Sequence, residues 1–330
     1  MPIIEVNNLS KTYEYYKKQP GLWASIKGLF NREKLYTDAV KNINFKVKEG
    51  ELIGFLGPNG AGKTTTLKML SGILYPSGGE AKVLGHTPWK REKEYQKQFA
   101  LVMGQKNQLW WDLPAMESFI LNKEIYEVSD ADFKKNLDEL VELLDIKDIL
   151  NVQVRKLSLG QRMKCELVAA LLHQPKVLYL DEPTIGLDVV AQKNIRDFLK
   201  KYNKEHKTTI MLTSHYMEDI KELCQRVIIV DHGTIIYDGD LNSLIMKYAP
   251  YKLLNITFDG NGVKREQLKK YGIVDKLTPH SVSLKVDRDK VKKVAVEILS
   301  SELPVDDILI DEVDINDVIR KIFSHKTRLA

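Results

Sequence analysis

The sequence has little of several features that would define a specialised class of protein. It contains two cysteines, Cys165 and Cys224, in 330 residues, which is too few for a disulfide framework and fits a reducing compartment. No window of about 18 uncharged apolar residues occurs, and the start MPIIEVNNLSK lacks the basic and apolar parts of a signal peptide. With 50 basic against 45 acidic residues, the net charge of +5 is too slight to indicate a nucleic-acid partner. If this protein serves a membrane, we expect it to act from the water side.

The remaining composition is that of an ordinary globular protein. Hydrophobic residues make up 43% and charged residues 29% of the chain. This length and composition predict about two domains with a sizeable core.

The most informative stretch is GPNGAGKTT, residues 57–65. Two glycines separated by four residues and followed by Lys and Thr form the phosphate-loop pattern, and the apolar run ELIGFL before it and the helical pattern after it supply the required context. Backbone N–H groups of such a loop and the positive end of the next helix can surround a phosphate. We therefore predict a nucleotide site in which Lys63 reaches the β- and γ-phosphates, Thr64 binds Mg²⁺ and Thr65 binds a phosphate oxygen.

Three other apolar runs predict buried strands that end in polar side chains. FALVMGQ ends at Gln105, KVLYLDEP (176–183) contains Asp181 and Glu182, and TTIMLTSH (208–215) ends at His215. Between them, LSLGQ (157–161) opens an amphipathic helix. RVIIVDHGTIIYDG (226–239) predicts a hairpin with an Asp-His-Gly turn.

Together, these motifs resemble the complete ATP-binding cassette of ABC transporters in their order and spacing. The resemblance rests on residues 57–65, Gln105, LSLGQ, LYLDEP, IGLD (185–188) and His215, and it covers roughly residues 1–240. It implies an α/β fold of the P-loop NTPase class, with a RecA-like parallel core sheet, an antiparallel β subdomain and a helical signature subdomain. It also implies an ATPase that uses ATP and Mg²⁺.

The resemblance assigns chemical roles to the polar strand ends. Asp181 would hold Mg²⁺, Glu182 would polarise the attacking water, and His215 would contact the γ-phosphate and position Glu182. Gln105 would touch Mg²⁺ or the water, and Tyr13 would stack on adenine. The full set of expected ATP contacts is Tyr13, Gly57, Pro58, Asn59, Gly60, Ala61, Gly62, Lys63, Thr64 and Thr65; the expected Mg²⁺ ligands are Thr64, Gln105 and Asp181.

The LSLGQ signature is expected to act on a second subunit. In the family, this positive helix end covers the γ-phosphate held by the other cassette, so two ATP molecules lie between head-to-tail partners. The chain has one phosphate loop and one signature, and it must therefore pair, by default as a homodimer. The residues expected to act in trans are Ser158, Leu159, Gly160, Gln161 and Asp188.

Two positions depart from the usual family pattern. Leu159 replaces the first glycine of LSGGQ, and Ile185-Gly186 replaces the usual Ser-Ala before Leu-Asp. Glu182 and His215 are both present, so we expect hydrolysis to be retained.

Several segments fall outside these motifs. Residues 106–172 predict a helical subdomain, with a helical pattern over 115–150. Within the cassette (1–243), residues 14–38 form an insertion between two predicted strands, and it resembles the gate helix of polysaccharide exporters. Its apolar residues follow helical spacing, which favours docking on a permease or the lipid headgroups over packing on its own domain. They are Leu22, Trp23, Ile26, Leu29 and Phe30.

The last part of the chain, 244–330, has a different texture. Its predicted order is β-α-β-β-α-β-α, which indicates a small α+β accessory domain of ferredoxin-like type. No catalytic constellation is visible in it.

The motifs also resemble, less specifically, the drug or viologen exporter branch with separate permease chains. This predicts an integral-membrane permease as partner, no nucleic acid, and a peripheral position at the cytoplasmic face of the membrane. The alternatives are a soluble ABC ATPase that acts on ribosomes or DNA, and an importer ATPase. The residues do not identify the transported substrate.

Overall fold

The computed structural model describes residues 2–16, 34–260 and 263–327. These residues divide into two compact units, with the boundary between Gly239 and Asp240. The sequence placed this boundary at 243/244. Within the described part of the chain, no helix is both long and apolar enough to cross a membrane.

The first unit is built on a six-stranded sheet with the order β5-β6-β7-β3-β8-β9. Its strands are β3 (Leu52–Leu56), β5 (Phe99–Met103), β6 (Val177–Asp181), β7 (Thr209–Thr213), β8 (Arg226–Asp231) and β9 (Thr234–Asp240). The pairs from β5 through β8 are parallel, and β9 adjoins β8 as the predicted hairpin. The central strands are short apolar runs because helices cover both faces of a parallel sheet.

A second, antiparallel sheet with the order β2-β1-β4 covers this core. It consists of β1 (Pro2–Tyr16), β2 (Lys34–Lys48) and β4 (Gly78–Val83). Its inward side chains, among them Val6 and Phe45, share one hydrophobic cluster with Phe55 and Met211 of the parallel sheet. The predicted parallel and antiparallel sheets are therefore confirmed.

The predicted bounds of the insertion at 14–38 are wrong at both ends. β1 continues to Tyr16 and β2 begins at Lys34, and Tyr16 pairs with Lys34. Cross-strand pairing explains this extension, since the Lys34 ammonium lies 2.9 Å from the Glu14 carboxylate. The apolar residues of the predicted gate-like helix, at 22–30, lie outside the described residues.

Helices of the first unit fill the connections between strands. They are α1 (Lys63–Leu70), α2 (Lys93–Gln96), α3 (Ala115–Ile125), α4 (Asp130–Leu144), α5 (Leu159–Leu171), α6 (Val189–His206) and α7 (Met217–Leu223). The helical subdomain contains α3, α4 and α5. The helical pattern predicted over 115–150 contains two helices, and Ser129 caps the start of the second by accepting a hydrogen bond from the Asp132 N–H.

The second unit has the predicted ferredoxin-like topology. After α8 (Leu241–Tyr248) come β10 (Tyr251–Phe258), α9 (Arg265–Leu268), β11 (Ile273–Leu277), β12 (Ser281–Asp287), α10 (Val291–Leu299), β13 (Val305–Asp311) and α11 (Ile315–Thr327). The sheet order is β11-β12-β10-β13 with antiparallel neighbours. Leu254 and Leu284 face each other in this sheet and are fully buried in the unit's own core.

Candidate functional site

The phosphate loop connects the end of β3 to the start of α1. Gly62 precedes α1 with φ +103, and a Cβ at this position would lie 2.4 Å from the Ala39 carbonyl oxygen. A glycine is required here by both backbone conformation and space. The loop is thus fixed at the carboxyl edge of the parallel sheet, where ligands bind in open α/β folds.

Lys63 lies inside this loop. Its ammonium donates hydrogen bonds to the carbonyl oxygens of Gly57, at 2.7 Å, and Pro58, at 3.1 Å. Burial lowers the pKa of Lys63, and the nearby Glu182 and Asp181 carboxylates oppose this effect. The residue is a buried cation held at the concave face of the loop, as an anion site requires.

Asp181, the last residue of β6, connects the phosphate loop to the neighbouring strand. Its Oδ2 accepts a hydrogen bond from the Thr64 hydroxyl at 2.7 Å, and its Oδ1 accepts one from the Thr213 hydroxyl at 2.7 Å. Thr64 opens α1, and Thr213 ends β7. Sequence analysis identified Asp181 and Thr64 as candidates but did not single out Thr213.

Glu182 lies directly beyond β6 in a strained backbone conformation, with φ +56. Its N–H donates to the Thr213 carbonyl oxygen at 3.0 Å. The Gln105 amide donates to Oε2 at 2.9 Å, and the His215 Nε2 lies 2.6 Å from Oε1. The structure thus brings together the three residues that the sequence proposed as catalytic.

Tyr13 lies beside the phosphate loop but does not enter it. Its hydroxyl is 3.5 Å from the Thr65 hydroxyl, and its ring is partly exposed. The Lys11 ammonium lies 5.5 Å from the ring centroid. An exposed ring next to a phosphate site can stack on a planar base.

The signature forms the start of α5. Ser158 caps this helix: its hydroxyl accepts from the Gln161 N–H at 3.2 Å, while its own N–H donates to the Gln161 side chain at 3.0 Å. Asp188 caps α6 by accepting from the Ala191 N–H at 2.9 Å. Ser158 and Asp188 are both exposed, so the described part of the chain covers neither helix cap.

The two departures from the family pattern touch each other. Gly186 has φ +73, and a Cβ there would lie 3.1 Å from Leu159 Cδ2. The larger residue in the signature is therefore matched by the smallest residue in the segment before Asp188.

One residue that sequence analysis missed holds the surrounding segments together. Asp219 on α7 is fully buried and accepts hydrogen bonds from the hydroxyls of Thr184 at 2.5 Å and Ser214 at 2.6 Å, and from the Arg196 guanidinium at 3.1 Å. Thr184 follows Glu182 by two residues, and Ser214 precedes His215. Asp219 is therefore positioned to fix the segments that carry Glu182 and His215. The one sequence signal for Asp219 was its spacing of four residues from His215, and acidic residues at such a spacing are common on protein surfaces.

With this geometry established, comparisons with known proteins identify the relatives. Residues 40–185 match the family model described as ABC transporter. Residues 250–311 match the EvrA-like ABC transporter C-terminal domain.

Two curated relatives come from Bacillus subtilis (strain 168). The ABC transporter ATP-binding protein NatA is 34% identical over 215 residues, which is 65% of this chain and 87% of NatA. The linearmycin resistance ATP-binding protein LnrL is 32% identical over 249 residues, 75% of this chain and 79% of LnrL.

Solved structures share the fold. A structure of an ATP binding subunit of an ABC transporter has a TM-score of 0.61 at 24% identity and covers 74% of this chain and 93% of its own. The dimeric structure of a bacterial ABC transporter cassette has a TM-score of 0.60 at 24% identity. The match covers 72% of this chain and 98% of the cassette chain.

We predict that Gly104→Ala impairs nucleotide hydrolysis more than nucleotide binding. A Cβ at Gly104 would lie 2.0 Å from the Glu182 carbonyl oxygen, so the segment that carries Glu182 must shift. Because a misplacement of about 1 Å can cost about 100-fold in rate, turnover should fall by about that factor while nucleotide affinity changes little. Gly78→Ala is the matched control, since its Cβ would meet open space. Unchanged turnover in Gly104→Ala would show that this contact does not position Glu182.

We also predict that Leu159 and Gly186 are energetically coupled. Gly186→Ala should be more destabilising in the native background than in Leu159→Ala, because the smaller side chain removes the 3.1 Å contact, whereas the strain of a positive φ is common to both backgrounds. We expect a coupling free energy of about 0.5 kcal/mol or more from urea unfolding of the four proteins. Additive effects would show that the two departures are independent.

Proposed function

Because the chain belongs to the ABC transporter family and is the ATP-binding, ATP-hydrolysing subunit of such a transporter, we propose that it powers export through a separate membrane permease. The observation that carries the catalytic part is the cluster at the end of β6. There Asp181 and Glu182 stand beside the buried Lys63 loop, and Glu182 contacts both Gln105 and His215.

We assign general base chemistry to Glu182. Each carboxylate oxygen has two acceptor sites, so Glu182 can accept a proton from water while Gln105 and His215 hold it in place. The His215 ring nitrogen that faces Oε1 carries the proton in this pair, because a carboxylate only accepts. Lys63, now bonded to loop carbonyls, would transfer its hydrogen bonds to phosphate oxygens.

The residues present fit a magnesium ion. Thr64 Oγ1 and Asp181 Oδ2 lie side by side at 2.7 Å, and the Gln105 amide oxygen is the third candidate ligand. Hydroxyl, carboxylate and amide oxygens are ligands that Mg²⁺ accepts. The ion would neutralise charge that develops on the phosphates.

The signature supports a head-to-tail homodimer. The Ser158 oxygen accepts a hydrogen bond from its own helix, which leaves its O–H free to donate to a phosphate held by a second chain. Gly160 lies in the first turn of α5, whose positive end favours an anion. Asp188 and the phosphate loop would complete the paired sites. A dimeric cassette is among the structures with this fold.

Export is supported by the name of one relative, while two others are named for bacitracin transport and linearmycin resistance. Besides LnrL, the relatives include the bacitracin transport protein BcrA of Bacillus licheniformis, 36% identical over 204 residues, and a Nod factor export ATP-binding protein of Cupriavidus metallidurans, 35% identical over 217. These favour export over import and over action on ribosomes or DNA. The chain would then lie at the cytoplasmic face of the membrane, with the second unit, from Asp240 onward, as an accessory domain.

Glu182→Gln tests the catalytic assignment. The amide preserves size and hydrogen bonding but cannot accept a proton, so steady-state phosphate release should fall by at least about 100-fold, while ATP still binds and a dimer accumulates in size-exclusion chromatography. Glu218→Gln, an exposed change on α7, is the matched control. Phosphate release at the native rate from Glu182→Gln would refute the assignment.

Ser158→Arg tests the action in trans. The bulky cation should disable the composite site that this signature completes, without weakening ATP binding to the same chain. Mixing it with Lys63→Ala should restore activity, since each mixed dimer contains one intact composite site. Ser129→Arg removes an equivalent helix cap from α4 and serves as the control. If Ser158→Arg alone loses ATP affinity as severely as Lys63→Ala, the signature acts in cis and the dimer proposal is wrong.

A further inference from the structure

A buried carboxylate lies in the helical subdomain, outside the nucleotide cluster. Glu166, two turns into α5, is 4% exposed. Its Oε1 accepts hydrogen bonds from the backbone N–H groups of Gln108 at 2.8 Å and Leu109 at 3.3 Å. These belong to the loop that begins at Gln105. Glu166 therefore connects the signature helix to the Gln105 loop.

The second oxygen of this carboxylate, Oε2, does not contact the loop amides in this way. Among the described residues, Glu166 Oε2 is buried and has no hydrogen-bond partner. Against the larger effect of burial, which raises the pKa of Glu166, the charge of Arg162 acts to lower it. The Arg162 guanidinium, however, lies over the Trp111 ring at 5.4 Å from its centroid, and no salt bridge joins it to Glu166 among the described residues. A buried polar atom without a partner is costly to a protein, which points to a role in binding.

Glu166 lines a cavity of about 150 Å³. The cavity lies between the Gln105 loop, α3 and α5, and the half-exposed Trp110 forms part of its wall. Aliphatic surface comes from Leu121, Ala169 and Ala170. Polar groups come from Gln108, Ser118, Asn122 and Tyr126, so the one anionic group lies among polar, aromatic and aliphatic side chains.

These walls favour an organic cation over a metal ion. A hard divalent cation takes about six oxygen ligands, whereas Glu166 is the one carboxylate among the lining residues. An alkyl cation can pair with the carboxylate, rest its methylene groups on Leu121 and Ala169, and place its charge near the Trp110 ring. Burial also raises the pKa of Glu166, and a cation beside it would favour the ionised form.

The volume limits the size of the occupant. A cavity of about 150 Å³ in a protein interior holds a molecule of benzene's size, with six heavy atoms. A guanidinium group with two carbons has the same number of heavy atoms. The cavity thus suits the end of an arginine or lysine side chain, or a small free amine or guanidine.

We propose that the cavity beside Glu166 binds a guanidinium or primary ammonium group on a short alkyl chain. Because Oε1 of the same carboxylate holds the Gln108 and Leu109 amides, an occupant is sensed by the loop that carries Gln105. Binding of a cation in this cavity is expected whether the transporter exports or imports its substrate.

The test is a titration of the full chain with ethylguanidinium, monitored by NMR. The readouts are the indole resonance of Trp110, assigned with Trp110→Phe, and the backbone amides of Gln108 and Leu109. N-ethylurea is the neutral control of nearly the same shape, and NaCl controls for ionic strength. We expect saturable shifts in the millimolar range with ethylguanidinium and none with ethylurea.

Glu166→Gln identifies the carboxylate as the binding group. The amide can still accept the two loop hydrogen bonds but has no charge, so affinity should fall by about 10- to 100-fold, the usual value of a hydrogen bond to a charged group. Glu142→Gln, an exposed charge removal on α4, should bind like the native chain. Thermal melting shows whether each variant is folded.

Two results would overturn the proposal: shifts that are linear and equal for ethylguanidinium and ethylurea, or unchanged affinity in folded Glu166→Gln. If Glu166→Gln does not fold, Trp110→Ala replaces it, and an unchanged affinity there counts against the site equally. The same NMR measurement on the chain bound to its membrane partner identifies the source of the cation. Shifts present before ethylguanidinium is added identify a side chain of the partner, and shifts that require it identify a free ligand.

Discussion

Two hydrogen bonds to the Asp181 carboxylate hold the candidate site in one arrangement. Thr64 brings the start of α1 to one oxygen, and Thr213 brings the end of β7 to the other. The phosphate loop, β6 and β7 are thus fixed to one another at a single side chain. Each threonine hydroxyl donates to a different oxygen of Asp181. The site therefore depends on a carboxylate at this strand end, because a carboxylate supplies both acceptors. The loop proposed to bind nucleotide and the strand end proposed to activate water are thereby joined through one residue.

The strain at Glu182 is maintained by its surroundings. A positive φ at a non-glycine residue persists where other contacts determine the conformation. Here the Thr213 carbonyl holds the Glu182 N–H, Gly104 leaves room for its carbonyl oxygen, and Gln105 and His215 hold its carboxylate. Asp219 then ties the segments on both sides into the core. The geometry proposed for catalysis therefore depends on contacts among three segments of the chain.

Much of this could be predicted from local sequence because the informative signals are local. An apolar run that ends in a polar residue, as at Asp181 and His215, predicts both a strand and a candidate site residue. The predictions failed where pairing decides the outcome. Residues 14–16 and 34–38 are polar enough to suggest a loop, yet each strand supplies the hydrogen-bond partner of the other. Asp219 was missed for a related reason, since its partner Arg196 lies on another helix and nothing in either stretch indicates a buried ion pair.

The contact of Leu159 with Gly186 shows why a departure from a motif is best judged in three dimensions. A leucine in the signature places a branched side chain where the segment before Asp188 passes closest. A residue with a Cβ at 186 would meet both that side chain and the strain of a positive φ. Glycine at 186 removes both costs, so Leu159 can lie against the segment before Asp188 without a clash. Ser158 and Asp188 are exposed and Gly160 is half-buried on the surface where a second cassette would bind.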